Sequence, residues 1–438
     1  MTAKEKTAME AGRRQIYREQ SRLRLKGRKV ADRWAKWVVS AGGFAVIASI
    51  LAILIFILIE IVPLFKPAQI HLSATIDSKS FLNGQSARLI AVGLEENQEV
   101  GYVISDAGRL HFFEIASSQP LKSYSISEPG QNIVSVWQSL NGRRLVLGTN
   151  QGNALQVHID FNSKFFEGVR TYNPEVRVDR IFNIDQKKRP LIDIAYAGDA
   201  DESLAIVGVT EDGRVVAFLR KKEESLFGDT EIDSFHYEVD KIWSGSPLAI
   251  AVDSGIRNLY VGTDQGKVYD WSLSFGRSPR FVNVARASPD VAISEMQFLI
   301  GERTLIIGDS RGRVSAWFPV RDSTSISGWR LTRIRDMQPH EAAVTAISPS
   351  ARRKGFISGD AHGKLLLQYT TSERYLAAFS VDNADSIALI KFAPKANGVL
   401  TLDASGRLMH WQIDNPHPEA GLKAFFGKVW YEGYEKPE

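Results

Sequence analysis

The stretch LYVGTDQGKVYDW, residues 259–271, decides the fold. An apolar run meets the polar turn Thr263-Asp264-Gln265-Gly266, and a second alternating run ends on Trp271. A glycine in such a turn can cradle a phosphate, sit in a calcium loop or simply reverse the chain. Recurrence separates these readings. The pattern returns as YVISDAGRLHFF (102–113), LVLGTNQGNALQV (145–157) and AIVGVTEDGRVVAFL (205–219). It returns again as LIIGDSRGRVSAW (305–317), FISGDAHGKLLLQY (356–369) and VLTLDASGRLMHW (399–411). The turn glycines are Gly108, Gly152, Gly213, Gly266, Gly312, Gly363 and Gly406, spaced 43 to 61 residues apart.

A strand–turn–strand unit repeating near this period predicts a β-propeller with four strands per blade. Glycine supplies the positive φ that a tight hairpin needs. Alternation after the turn, as in Val268-Tyr269-Asp270-Trp271, gives each strand one inward face. A lone blade cannot bury both its faces, whereas a closed ring covers them. The glycines are therefore turn residues, since a phosphate or calcium loop would not be needed seven times. In the sixth unit, residues 344–350, 355–360, 364–370 and 374–381 fill the four strand places. The last unit supplies only three strands before NPHPEA (415–420). The extended segment QIHLSATI, residues 69–76, is expected to complete it and close the ring. Two stretches outside the period, 160–204 and 221–234, carry many charges and read as loops projecting from the disc. His340, Asp360 and the strand-end tryptophans Trp271, Trp317 and Trp411 resemble WD40-type blades. The expected fold class is all-β, a seven-bladed WD40-like β-propeller with an N-terminal transmembrane α-helix.

Charge is unevenly distributed. The chain of 438 residues has a formal net charge of +4, but residues 1–36 alone hold twelve Lys/Arg against four Asp/Glu. The remainder is slightly acidic, which argues against a nucleic-acid partner for the folded part. Val38 to Ile59 is a run of 22 residues without a charge, with Gly42 and Gly43 near its start. At 1.5 Å per residue it spans a hydrocarbon core about 30 Å thick. Trp34 and Trp37 stand at the near interface, where indoles are favoured. The basic arm before the span keeps the N-terminus cytoplasmic by the positive-inside rule. The organisation expected is a cytoplasmic arm (1–36), a signal-anchor span (37–64), a propeller (65–414) and a membrane-proximal segment (415–438). The protein then crosses a bacterial inner membrane once, with the propeller in the periplasm.

Little in the composition points to catalysis. Cysteine is absent, which excludes disulfides, Cys-ligated metals and a Cys nucleophile. The eight histidines show no metal-ligand spacing, and no P-loop, GxSxG elbow or dinucleotide fingerprint occurs. No catalytic residue, metal site or cofactor is expected. Asp106, Asp264, Asp309, Asp360 and Asp403 sit where turn caps belong. His340 is expected to anchor its own loop by a hydrogen bond. Six turn glycines are followed by a base: Arg109, Arg214, Lys267, Arg313, Lys364 and Arg407. On one face these would form a loose basic ring that attracts anions. Solvent-facing hairpin positions also tolerate long charged side chains, and that simpler reading is favoured.

The C-terminal stretch PEAGLKAFFGKVWYEGY (418–434) places Leu422, Phe425, Phe426, Val429 and Trp430 at helical spacing, with Trp430 and Tyr431 as interface-type aromatics. Basic arm, one span, WD40-like propeller and this ending together resemble the N-terminal half of the enlarged PstC-type phosphate ABC transporter permeases of proteobacteria. The resemblance implies a non-catalytic, extracytoplasmic domain that docks or stabilises transporter components. Its implied partners are the permease core, the ATP-binding subunit and the periplasmic phosphate-binding protein. The multi-span core that carries phosphate has no counterpart in these 438 residues, so no transport residue carries over.

Overall fold

Each copy of the glycine pattern folds as an antiparallel hairpin in the computed structural model. The structure describes residues 33–61, 68–82, 87–166, 169–199, 202–224, 230–325, 328–371, 374–381 and 383–414. All seven turn glycines take a positive φ, from 69° at Gly266 to 89° at Gly406. Every hairpin gains one inner and one outer strand, giving seven separate four-stranded antiparallel sheets. Six blades run in simple chain order. They are β2–β5 (Leu89–Ser125), β6–β9 (Ile133–Asn183), β10–β13 (Leu191–Glu238), β14–β17 (Pro247–Arg286), β18–β21 (Ile293–Asp336) and β22–β25 (Val344–Phe379).

The seventh blade is built from both ends of the propeller. Its inner strands β26–β28 (Ile387–Asp414) pair with β1 (Gln69–Asp77) as the outermost strand. The register runs from Gln69 opposite Asp414 to Asp77 opposite Arg407. Arg407 follows the turn glycine Gly406, so the chain enters and leaves the disc side by side on the face opposite the glycine turns. A short helical turn, α2 (Lys79–Leu82), then leads into the first blade.

The core is distributed between blades. Among the described residues the buried apolar side chains gather in seven clusters. Val207, Val209, Ala217 and Leu219 of the third blade, for example, pack with Ile250, Leu259, Val261 and Trp271 of the fourth. The closing cluster joins Ile76, Leu400, Leu402 and Leu408 of the seventh blade to Val92 and Val103 of the first. Stability is thus spread over a ring of interfaces, and β1 belongs to the one that closes it.

The structure corrects the two projecting loops. Residues 160–166 and 169–183 continue β8 (Asn153–Phe166) and β9 (Val169–Asn183), which pair as far as Phe166 opposite Val169. Residues 221–224 and 230–234 likewise belong to β12 (Val215–Glu224) and β13 (Thr230–Glu238). Phe161, Tyr172 and Val176 of the first extension still pack on the apolar cluster between the first two blades, but charged and polar residues fill most of the other positions, so the strand signal in these stretches is weak.

Helix α1 (Arg33–Ile61) contains the uncharged run and is long and apolar enough to cross a membrane. Val38, Gly43 and Ile59 lie within it, with Trp34 and Trp37 in its first turns. It belongs to a unit separate from the propeller, residues 67–416. The basic arm before Arg33, and Trp430 and Tyr431, lie outside the described residues.

Candidate functional site

The glycine-turn face carries the six bases that follow the turns. A side-chain oxygen at the end of the second strand caps the turn in blade after blade. Asp309 Oδ1 accepts from the Arg311 and Arg313 amides, at 2.8 and 2.9 Å. Asp360 and Asp403 do the same for the sixth and seventh blades. Thr149, Thr210 and Ser105 play this part at other blades through their hydroxyls. Asp106 and Asp264, one residue further on, instead accept from the Arg88 and Ser246 amides just before the innermost strands.

Topology brings the six bases to one face, but three of them are held by carboxylates. Arg214 makes a bidentate pair with Asp185, 2.9 Å at each nitrogen, and also meets Asp212 and Glu238. Burial pushes the Asp185 carboxyl up, yet the Arg214 hydrogen bonds and the Arg189 and Lys187 amides bring it below its ordinary value. Lys364 pairs with Glu341 at 3.0 Å, and Arg407 with Asp403 at 2.7 Å. Arg109, Lys267 and Arg313 have no carboxylate partner among the described residues.

One constellation has the outward form of a catalytic triad. His340 Nδ1 lies 3.0 Å from Asp360 Oδ2, and its Nε2 lies 2.7 Å from Ser358 Oγ. A nucleophilic serine needs access to substrate and donors for the oxyanion. Ser358 and Asp360 are fully buried, and His340 side-chain exposure is 0%. The network staples the strand of Ser358 and Asp360 to the segment entering its blade. Burial lowers the His340 pKa although Asp360 pulls it up, so the ring stays neutral and acts as a donor–acceptor bridge.

The central channel is a second polar locus, and the repeat pattern gave no sign of it. The first strand of every blade carries a β-bulge at the same place, between Leu191 and Asp193 in the third blade and between Ile293 and Glu295 in the fifth. The channel has a volume of about 1170 Å3. Bulge residues such as Ile192 and Leu248 line it, and the residues after the bulge reach towards the next blade. Ser135 Oγ donates to the Leu191 carbonyl at 2.6 Å, and Asp193 Oδ2 accepts from the Ile250 amide at 2.9 Å. Desolvation raises the Asp193 carboxyl to about 7. Glu295 is raised to about 8 by desolvation and then by the nearby Asp193 charge. Both retain some surface, but that surface faces the channel rather than bulk water. On another wall, burial lowers the Lys391 amine to about 7 while its Nζ donates to the Ser139 carbonyl at 2.7 Å.

These shifts give a signed expectation. A carboxyl whose folded pKa is raised keeps its proton after the unfolded chain has lost it. The contribution of Asp193 and Glu295 to stability therefore falls as pH rises from about 4 to about 8 and levels off above, whereas that of Lys391 rises as pH climbs from about 7. Glu295→Gln is expected to raise stability at pH 8.5 by roughly 1–2 kcal/mol and to change little at pH 4.5. Urea unfolding at the two pH values checks this; an equal effect at both would remove the raised carboxyl as its cause. Among the described residues, no group of three or more His, Asp or Glu is placed to hold a metal ion.

No protein-family model matches the chain, and no curated protein matches it. Solved structures do. The β-propeller domain of Cps50 (Swd1) from Myceliophteria thermophila superimposes with a TM-score of 0.56 at 11% identity. The match covers 79% of this chain and 100% of that one. At such identity the likeness shows architecture alone: the chain has a seven-bladed β-propeller of WD40 type, with one N-terminal helix able to span a membrane.

Proposed function

We propose that this chain is a membrane-anchored docking scaffold, the extracytoplasmic part of a phosphate ABC transporter permease. The observation that carries the scaffold reading is the closed ring of seven blades, whose one triad-like constellation is sealed from solvent. Such a ring offers two faces and a rim of outer strands for protein contacts. The phosphate reading is narrower. It is supported by the resemblance of residues 418–434 and by the order arm, span, propeller. On this reading the basic arm lies in the cytoplasm, the propeller in the periplasm, and the partners are the permease core, the ATP-binding subunit and the phosphate-binding protein. A tagged full-length chain, pulled from native membranes under phosphate limitation, is expected to bring these subunits with it. Recovery of other periplasmic proteins without them would leave the scaffold and remove the phosphate assignment.

A further inference from the structure

The rim of the disc is polarised in charge. Strand β17 (Arg277–Arg286) carries Arg277, Arg280 and Arg286 and no acid. Its neighbour β21 (Trp329–Asp336) carries Arg330, Arg333 and Arg335 with Asp336 as its one acid. By contrast β13 carries Glu231, Asp233 and Glu238 and no base. A groove of about 720 Å3 separates β17 from β21. Phe281, Asn283 and Arg286 line one side, and Trp317, Arg330 and Arg333 the other.

Three features of this groove are incomplete within the chain. First, Arg286 stands directly opposite Lys267 in the ladder, and like charges in that position repel. Arg286 is exposed and has no carboxylate partner among the described residues. Second, Arg330 holds only the rim carboxylate of Asp322, at 2.9 Å, and Arg333 that of Asp336, at 3.2 Å, with one donor on the Ala287 carbonyl; each guanidinium has donors left over. Third, the Asn283 amide is shielded from solvent with neither its oxygen nor its nitrogen hydrogen-bonded. A buried amide left that way is costly. Below the charges lies an aromatic floor: Trp317 is buried with Arg333 5.2 Å above its ring, and Phe281 packs edge-on against Trp271 at 5.6 Å.

We propose that the groove between β17 and β21 docks an extended acidic segment of a partner protein. Carboxylates of the segment meet Arg286, Arg330 and Arg333, and relieve the Lys267–Arg286 repulsion. A main-chain amide offers Asn283 both its missing partners, one donor and one acceptor. An apolar side chain of the segment rests on the exposed edge of Phe281. Both outermost strands have free edges, so an extended chain fits here where a helix does not. The inference deepens the docking reading above and is independent of the phosphate assignment.

The test uses the full-length chain in nanodiscs and a fluorescein-labelled peptide, Glu-Asp-Leu-Glu-Val-Asp-Glu, followed by anisotropy. Binding is expected to weaken with salt and to fall at least tenfold in Arg286→Glu. Asn283→Ala should weaken binding several-fold while leaving the melting temperature unchanged or higher, a combination that a purely structural asparagine would not give. Arg313→Glu, on the glycine-turn face, should bind as the parent does. The proposal is overturned if Arg313→Glu loses as much as Arg286→Glu, or if the all-Gln peptide binds equally well. It is also overturned if sedimentation shows that Arg286→Glu abolishes self-association, because the occupant would then be the acidic β13 edge of a second copy. Failure of the pull-down with intact peptide binding removes the phosphate assignment and leaves the groove.

Discussion

Ile76→Asp is expected to open the ring. Ile76 is 3% exposed and packs with Leu400, Leu402 and Leu408 against Val92 and Val103 of the first blade. Losing its burial costs about 2 kcal/mol. A carboxylate placed in that apolar setting adds several more. The sum, above about 4 kcal/mol, is large for one substitution. It also falls on an outermost strand, since β1 bonds to the seventh blade along β28 alone. Once β1 leaves, β28 presents an unpaired edge and the seventh blade loses its seam with the first. Thermal unfolding should drop by roughly 5 °C or more, with early proteolysis near residues 67–88. Thr75→Asp, one residue away and exposed, should stay within about 0.5 kcal/mol of the parent. If Ile76→Asp melts beside Thr75→Asp, the closing strand does not hold the ring.

Gly266→Ala should be nearly as damaging, for a different reason. The φ of 69° alone costs a non-glycine residue about 1–3 kcal/mol. A Cβ there would also lie 1.6 Å from the Ser288 carbonyl oxygen and 2.6 Å from that of Val291. Both obstacles are backbone and cannot rotate away. They are also tied to the glycine, whose carbonyl accepts from the Ala287 and Ser288 amides at 3.0 Å. Relief therefore breaks the link between the turn and the segment entering the fifth blade. A total of about 4 kcal/mol or more is expected. Gly130→Ala separates the two contributions, because Gly130 has φ 83° and nothing within 4 Å of its Cβ position. Equal urea midpoints for the two variants would show that conformation alone matters and that the close approach does not.

The glycine turns were legible in the sequence because their cause is local. A φ near 70° and a hydrogen-bonded reversal need only the residues of the turn itself. Blade number followed from counting them. The strand character of β8, β9, β12 and β13 away from the blade centres was hidden, because charged residues fill most positions there and only a few, such as Phe161, Tyr172 and Val176, reach the core. The channel carboxyls were hidden by the bulge. One extra residue shifts every side chain to the other face, so alternation read through LIDIAYAG (191–198) misplaces Asp193. The six bases could be placed by position, but their partners could not. Arg214 finds Asp185, 29 residues earlier in the chain, and only the folded sheet sets them 2.9 Å apart.

The pairing of Gln69 with Asp414 bears on how such a domain can be gained or lost. Neighbouring residues across an antiparallel pair have Cα atoms about 5 Å apart. Seen from the rest of the chain, the whole propeller therefore occupies no more span than a tight turn. A host protein can acquire it within a surface loop without moving either flanking element. It can equally shed it by joining the two stubs through a two- or three-residue link. Excision between residues 68 and 415 is the cut that leaves no blade unpaired, whereas a cut one strand to either side leaves an open edge. The domain is in this sense a detachable cassette whose joint coincides with its own lock.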